Sequence, residues 1–444
     1  MKILERIVAR LSAPHETDIW LDISQDPAVL KYYDGGEWKP IAGGGGGDAT
    51  NAVLYVEQSL STSQKAQARE NIDALGESEV ADILRFIRAE KMRREYFTIT
   101  AGEDGADIMF YCPEEAGQTK TVSVSTDGGQ TWTQKTSSYE GTTIAELGAG
   151  EKVMLKGTND AIGYMYDDEG AYVGNYFYSV DKYFVSGNIM SLLYGDSFAD
   201  KFHLSQENDG AFCYLFSDYW GERIENAVDI HPVSPLVLPA TTLADSCYIS
   251  MFKGCTGLTS APELPATTLA QYCYISMFQG CTSLTIAPEL PATTLTSDCY
   301  DSMFSGCTSL TSAPKLPATT LADSCCYAMF SGCTSLTIAP ELPATTLTSD
   351  CYNSMFYGCT GLTSAPELPA TTLAKNCYRS MFQGCTSLNY VKCLATNISA
   401  SSSHLNWLNG VAATGTFVQA AGMTSWPSGV SGIPSGWTVQ DYSE

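Results

Sequence analysis

Charge is scarce in this chain, and basic charge scarcest. Only 16% of the 444 residues are Asp, Glu, Lys or Arg, and 49 acids face 24 bases, for a formal net charge of −25. So acidic a chain offers no basic footprint for a nucleic acid. No run of 18 apolar residues occurs, which argues against a membrane-inserted helix. The opening MKILERIVARLSAPHETD is interrupted by Glu5, Arg6 and Arg10 and lacks an apolar signal core with a small-residue cleavage site. Synthesis in a cytoplasm is the expectation. His15, His203, His231 and His404 are scattered, none in a metal-ligand or nucleophile–base spacing. No catalytic residue, metal site or cofactor is expected.

What the chain has in abundance is repetition. Six copies of a 26-residue unit begin at Leu238, Leu264, Leu290, Leu316, Leu342 and Leu368, the first reading LPATTLADSCYISMFKGCTGLTSAPE. A fixed period of this length signals a solenoid, in which no repeat buries its apolar stripe alone. Thr241-Thr242 can cap a helix entered before Leu243. On that helix Leu243, Cys247 and Met251 share one side, flanked by Tyr248 and Phe252. Gly254 then reads as the helix stop, and Cys255 and Leu258 re-enter the core. Residues 258–261 read as a short strand, closed by Pro262 and Pro265. One helix and one strand per repeat is leucine-rich-repeat geometry.

Twelve of the 16 cysteines are the paired repeat positions, Cys247 and Cys255 through Cys377 and Cys385. Eight residues of helix span about 12 Å, and a disulfide needs Cα atoms within about 7 Å, which argues against a bridge inside one repeat. The repeats contain no His and space their cysteines by seven residues, which does not suit zinc. Two readings stay open: a ladder of small buried thiols, and disulfides between neighbouring repeats. Cys326 stands where the other copies have Tyr.

Upstream, alternating apolar residues around Asp34-Gly35-Gly36 suggest a hairpin, and Gly43 to Gly47 a linker. Residues 64–74 and 78–94 read as helices that need partners to be stable. Residues 95–184 read as antiparallel strands forming a small β-sandwich. Within them STDGGQTW (Ser125–Trp132) has the Asp-box spacing of sialidases, but this stretch contains no arginine. Asp127 is therefore read as satisfying turn amides. The acidic YDDEG at 166–170 lacks the spaced ligands of a calcium loop and reads as an exposed turn.

Three segments resemble known families. CYNSMFYGCTGLTSAPELPATTL looks like the BspA-like leucine-rich repeats, across roughly residues 210–440. PAVLKYYDGGEWKPIAG resembles the virion-proximal end of fibre proteins from tailed phages of gut bacteria. LSTSQKAQARENIDAL is similar to a segment common in phage tail-fibre proteins, with Asp73-Ala74 where Gly-Ala is usual. The resemblance implies a structural virion fibre, head or tail, attaching to a host-surface receptor or glycan. Its expected partners are other virion proteins and its own copies in a homotrimer. A bacterial surface adhesin with BspA-like repeats is the alternative.

The expected fold class is multidomain α+β. An attachment segment spans 1–47, a helical neck 48–94, a β-sandwich and junction 95–198, and a solenoid cap 199–237. The leucine-rich-repeat array spans 238–393 and a closing cap 394–444. Cys247, Cys255, Met251, Phe252 and Leu258 are the structural residues of a repeat. The copies differ off that stripe, and there Tyr272, Tyr357, Arg379, Gln279, Gln383 and Lys253 are the candidate receptor contacts, the first three as anchor types.

Overall fold

The computed structural model describes the backbone of residues 7–9, 19–22, 29–34 and 37–40. It also describes 94–443 except 113–118, 164, 167–171, 218–226, 233–234 and 430, with 165–166 and 172–173 as backbone alone. The expected helices over 64–74 and 78–94 and the linker at 43–47 lie outside the described residues, as does most of 166–170. The chain divides into two units, Met1–Lys91 and Met92–Glu444.

In the first unit β1 (Ile7–Ala9), β2 (Ile19–Asp22), β3 (Val29–Asp34) and β4 (Glu37–Pro40) form one sheet in that order. β1 lies parallel to β2, and the other pairs are antiparallel. β3 and β4 pair with Asp34 opposite Glu37, so Gly35 and Gly36 alone connect them.

The second unit begins with β5 (Phe97–Ala101), β6 (Ala106–Tyr111), β7 (Thr121–Ser125), β8 (Thr133–Thr136), β9 (Thr142–Leu147) and β10 (Lys152–Lys156). β11 (Met165–Tyr166) and β12 (Tyr172–Val173) form a short ribbon, followed by β13 (Tyr176–Tyr178) and β14 (Tyr183–Asn188). Beyond them, β15 (Val228–Ile230) and β16 (Leu236–Val237) both lie parallel to β14. One sheet runs β15-β14-β5-β10-β7-β8 with β16 also on β14, and a second runs β13-β6-β9. Alternation fixes which side is inside: Val122 and Val124 of β7, and Val153 and Leu155 of β10, are buried.

The core does not end with the sheets. Phe110 stacks on Phe177 at 4.7 Å, Phe177 meets Phe216 at 6.5 Å, and Phe216 stacks on Phe252 at 5.0 Å. From there a phenylalanine from every repeat continues the column to Phe382 at centroid spacings of 5.5 to 5.8 Å. Sandwich and array share one hydrophobic core.

The repeats are not helical, which overturns the α+β expectation. Among the described residues the one α-helix, α1, is Ser191–Tyr194, outside the array; the rest of the regular structure is strand and two 3₁₀ turns. The segment expected as a helix is a ribbon of linked turns. The N–H groups of Met251, Lys253 and Cys255 donate to the carbonyls three residues back, Tyr248, Ser250 and Phe252, at 3.0 to 3.3 Å. The N–H groups between them leave the repeat altogether. Tyr248, Ser250, Phe252 and Gly254 donate to Cys273, Ile275, Met277 and Gln279 of the next rung at 2.8 to 3.0 Å. Half of the donors thus close turns and half tie rung to rung, and none forms the i→i−4 bond of an α-helix.

Backbone angles explain the choice. Ser246, Ser250 and Gly254 have φ of +59°, +50° and +74°, and the same three positions are left-handed in every repeat. A right-handed helix cannot contain them. Ser, Asp, Asn and Gly fill most of these positions, the residues that tolerate this region best. Ala328 is an exception, at φ +47°. Ala328→Gly is therefore expected to stabilise the protein by a few tenths of a kcal/mol to about 1 kcal/mol, the left-handed penalty less the glycine entropy. In a helix the same change would cost about 1 kcal/mol. The sign, read from denaturant midpoints, decides between the two backbones.

The strand expected at 258–261 shrinks to isolated bridges such as Ser312 to Ile338. Two prolines per repeat remove the N–H groups a continuous ladder needs. Where the prolines stop, the ladder forms. β17 (Tyr390–Cys393), β18 (Gly415–Gln419) and β19 (Trp437–Asp441) make a parallel three-stranded sheet. Trp407 closes the array, stacked on Tyr378 at 6.2 Å and on Trp426 at 5.0 Å, its indole N–H donating to the Gly432 carbonyl at 3.1 Å.

Candidate recognition face

The ribbon runs in pairs of residues, two in and two out. Cys247-Tyr248 and Met251-Phe252 point into the core; Asp245 and Lys253 are exposed on the outer side, and Ile249, at the same kind of position, is buried in a separate cluster with Cys213 and Tyr214. Stacking converts each outer position into a column with one residue per rung. Lys253, Gln279, Ser305, Ser331, Tyr357 and Gln383 form one such column, as the bonds from Gly254 to Gln279 and from Gly358 to Gln383 show. Ile249, Ile275, Asp301, Tyr327, Asn353 and Arg379 form the neighbouring one, tied by Ser250 to Ile275 and Ser354 to Arg379.

Five of the six candidate contacts lie in these two columns. Lys253, Tyr357 and Arg379 are exposed, and Gln279 and Gln383 are half-buried. Tyr272 lies elsewhere. It occupies a left-handed position, φ +61°, and packs with Ile275 against a small cluster of Cys213, Tyr214 and Ile249. Its ring helps cover the first rungs and is no free anchor. The sequence reading missed Tyr327, which is 36% exposed in the Arg379 column. The signal was available: in Cys325-Cys326-Tyr327 the tyrosine sits one place later than in the other copies, which moves it from an inward column to an outward one.

Behind this face the inward columns are buried and, apart from Cys326, alike from rung to rung. All 16 cysteines are buried and free, which favours the thiol ladder over disulfides. The second cysteine of each repeat has a defined role. Cys281, Cys307, Cys333, Cys359 and Cys385 donate their S–H to the carbonyls of Phe252, Phe278, Phe304, Phe330 and Phe356 at 2.9 to 3.1 Å. Each of those carbonyls already accepts the N–H of its own rung's cysteine, so the thiol fills its second lone pair. Burial pushes the Cys307 and Cys385 thiols up to about 12, and most of the other ladder thiols upward as well. A thiol held protonated is neither nucleophile nor metal ligand at neutral pH. Among the described residues no cluster of three or more His, Cys, Asp or Glu side chains could hold a metal ion.

The outer columns also carry carboxylates. Burial, together with the neighbouring Asp298, pushes Asp301 up to about 6, against a bond from Ser302 Oγ to Asp301 Oδ1 at 2.7 Å that acts the other way. A folded-state value above the unfolded one near 3.8 means the native state holds the proton more tightly. That contribution is complete below the unfolded value and is lost as pH rises through 6. At pH 7 the ionised carboxylate works against the fold by at most about 3 kcal/mol. Asp301→Asn is expected to raise the denaturant midpoint at pH 7 by about 1–2 kcal/mol equivalent. The advantage should fade as the pH is lowered to 4, and a pH series of midpoints checks it.

Two further features lie on the sandwich. In the Asp-box segment Asp127 accepts the N–H groups of Gln130 and Thr131 at 2.9 to 3.0 Å, and Ser125 Oγ donates to it at 2.7 Å. Thr131 Oγ1 donates to it at 2.5 Å, and that bond first, then those from the Thr131 N–H and Ser125, holds its carboxyl well below the usual range. Trp132 Nε1 closes the loop on the Gly129 carbonyl at 3.0 Å. All of this carboxylate's described bonds serve the turn. A cleft of about 690 Å³ opens nearby, lined by Glu95, Glu146, Glu151, Lys152 and His231 among others. Burial, and after it the charge of Lys152, lowers His231. The cleft brings together none of the candidate residues.

No protein-family model matches the chain, and neither does any curated protein or solved structure. Among the described residues no helix is long and apolar enough to cross a membrane.

Proposed function

We propose that this chain is a structural fibre protein of a tailed-phage virion, and that its array presents a recognition face to a host-surface receptor or glycan. One observation carries the reading. The inward columns of Cys, Tyr, Met and Phe are nearly invariant, while differences between rungs fall on the outer columns, where Tyr327, Tyr357 and Arg379 gather in the last three rungs. A rigid frame with a variable exposed side suits recognition more than catalysis. The resemblance of residues 60–75 to tail-fibre segments supports assigning attachment to the particle to the first unit and recognition to the array. Self-association into a homotrimer belongs to the same proposal, because several copies turn weak contacts into avidity.

The test is adsorption to host cells of particles carrying Tyr327→Ala, Tyr357→Ala and Arg379→Ala together. Adsorption is expected to fall about tenfold or more, since anchor residues contribute about 1–2 kcal/mol each. Melting of the purified chain should shift little, because all three side chains are exposed. Unchanged adsorption would remove this face from the reading.

A further inference from the structure

Rung four breaks the pattern at a cost. Tyrosines stack from Tyr248 through Tyr274 to Tyr300 at 5.6 and 6.0 Å, and again from Tyr352 to Tyr378 at 6.3 Å. Between them Cys326 fills the inward place, so the buried stack is interrupted. The tyrosine of that rung, Tyr327, stands outside. The Phe column beside it is unbroken, so the rung is otherwise regular.

In the next rung Asn353 is buried, its Nδ2 donating to Asp350 Oδ1 at 2.8 Å and its Oδ1 accepting from Ser354 Oγ at 2.9 Å. One rung further stands exposed Arg379. Tyr327 and Arg379 therefore stand two rungs apart in one column, about 10 Å at ordinary strand spacing, with Asn353 covered between them. Tyr357, 44% exposed, stands beside it in the adjacent column. Arg379 and the exposed Lys375 on the same rung form no ion pair among the described residues. The nearest carboxylate in sequence register, Asp350, is already bonded by Asn353 and, at 3.3 Å, by Asn376 Nδ2.

We infer that this exposed patch, over rungs four to six, takes a sugar ring bearing a carboxylate, a uronate of an acidic cell-surface polysaccharide. The inference rests on the attachment reading above and deepens it. Tyrosine rings receive the apolar C–H side of a sugar, and a guanidinium receives a carboxylate bidentately. Two cations close together, Lys375 and Arg379, on an outer face whose middle rungs carry Asp298, Asp301 and Asp323 favour an anion at this end. A protein partner would need about 800 Å² on each side. This patch is limited to three rungs, between those carboxylates and the closing cap.

The experiment is saturation-transfer NMR on the full chain with tetragalacturonate and with its fully methyl-esterified form. The wild type is expected to bind the acid, with the ester about tenfold weaker or worse, the worth of one charge-assisted bond. Arg379→Gln should lose the discrimination between acid and ester. Tyr327→Ala and Tyr357→Ala should each weaken binding severalfold, and Lys253→Gln, in the first rung, should not. Circular dichroism shows that the variants are folded. The assignment is overturned if the wild type binds neither probe, or if acid and ester bind alike. Should uronate fail to bind while the triple variant still abolishes adsorption, the sugar assignment falls and the attachment face stands. Uronate binding with unaffected adsorption would leave the sugar site and remove its attachment role.

Discussion

Replacing Phe304 with alanine is expected to cost about 3–5 kcal/mol, the range for deleting a fully buried phenylalanine. The ring lies between Phe278 at 5.5 Å and Phe330 at 5.6 Å, both nearly parallel to it, so the deletion breaks two contacts of the central column at once. Flanking Cys299, Cys307 and Met303 are themselves fully buried and cannot swing in without opening another gap. In a stacked array each rung depends on its neighbours, so the loss should be felt asymmetrically. Rungs one and two remain fused to the sandwich through Phe216, whereas the later rungs keep only the terminal cap. Hydrogen exchange should show protection lost first beyond residue 304, and the denaturant transition should broaden. A single sharp transition with uniform protection would show that the column does not carry the load between rungs. Phe304→Leu, which keeps most of the volume, should recover much of the loss.

How much of this was legible follows from one periodicity. Cys247-Tyr248, Met251-Phe252 and Cys255 recur at a strict spacing of four. A spacing near four was read as one side of an α-helix, whose period is 3.6. The inward set was still correct, because both backbones bury the same residues. What the helix reading ignored was a second series at the same spacing, Ser246, Ser250 and Gly254, composed of residues that tolerate positive φ. It recurs as Asp298, Ser302, Gly306 and as Asn376, Ser380, Gly384. A single glycine near a helix end is ordinary; three turn-formers in step with the apolar pairs are a turn ribbon.

The candidate face inherited that error in part. Tyr272 was chosen as variable and exposed, but it belongs to the left-handed series and packs on Ile275. Tyr327 is absent from the candidate set because Cys326 considered by itself is one exchanged residue, whereas Cys326 and Tyr327 together move one ring from inside to outside. The fusion of sandwich to array was not legible, because nothing in the periodicity reports a close approach between backbones distant in sequence.

That fusion depends on glycine. A Cβ at Gly174 would lie 2.2 Å from the Gly163 carbonyl oxygen and 2.5 Å from that of Cys213, and a Cβ at Gly163 would lie 2.1 Å from the same Cys213 oxygen. The obstacles are main-chain atoms, so no side chain can turn aside to make room. The approach allows Ile162 and Gly163 to donate to the Ala211 carbonyl at 2.8 and 3.0 Å, and Phe177 to Leu215 at 2.9 Å. Gly174→Val should push the strand off the first rung. Overpacking costs about 1–3 kcal/mol and each lost main-chain bond about 1 kcal/mol more, for a total of about 3–5 kcal/mol. The sign of the effect on cooperativity is as telling as its size. With the contact broken, the aromatic path from Phe177 to Phe216 is interrupted. Sandwich and array should then unfold in two steps where the wild type shows one. Gly257→Ala is the matching control, since its Cβ would meet only the Val228 oxygen at 3.7 Å, an ordinary contact. One unshifted transition in Gly174→Val would mean that the two halves are held together by something other than this glycine-lined seam.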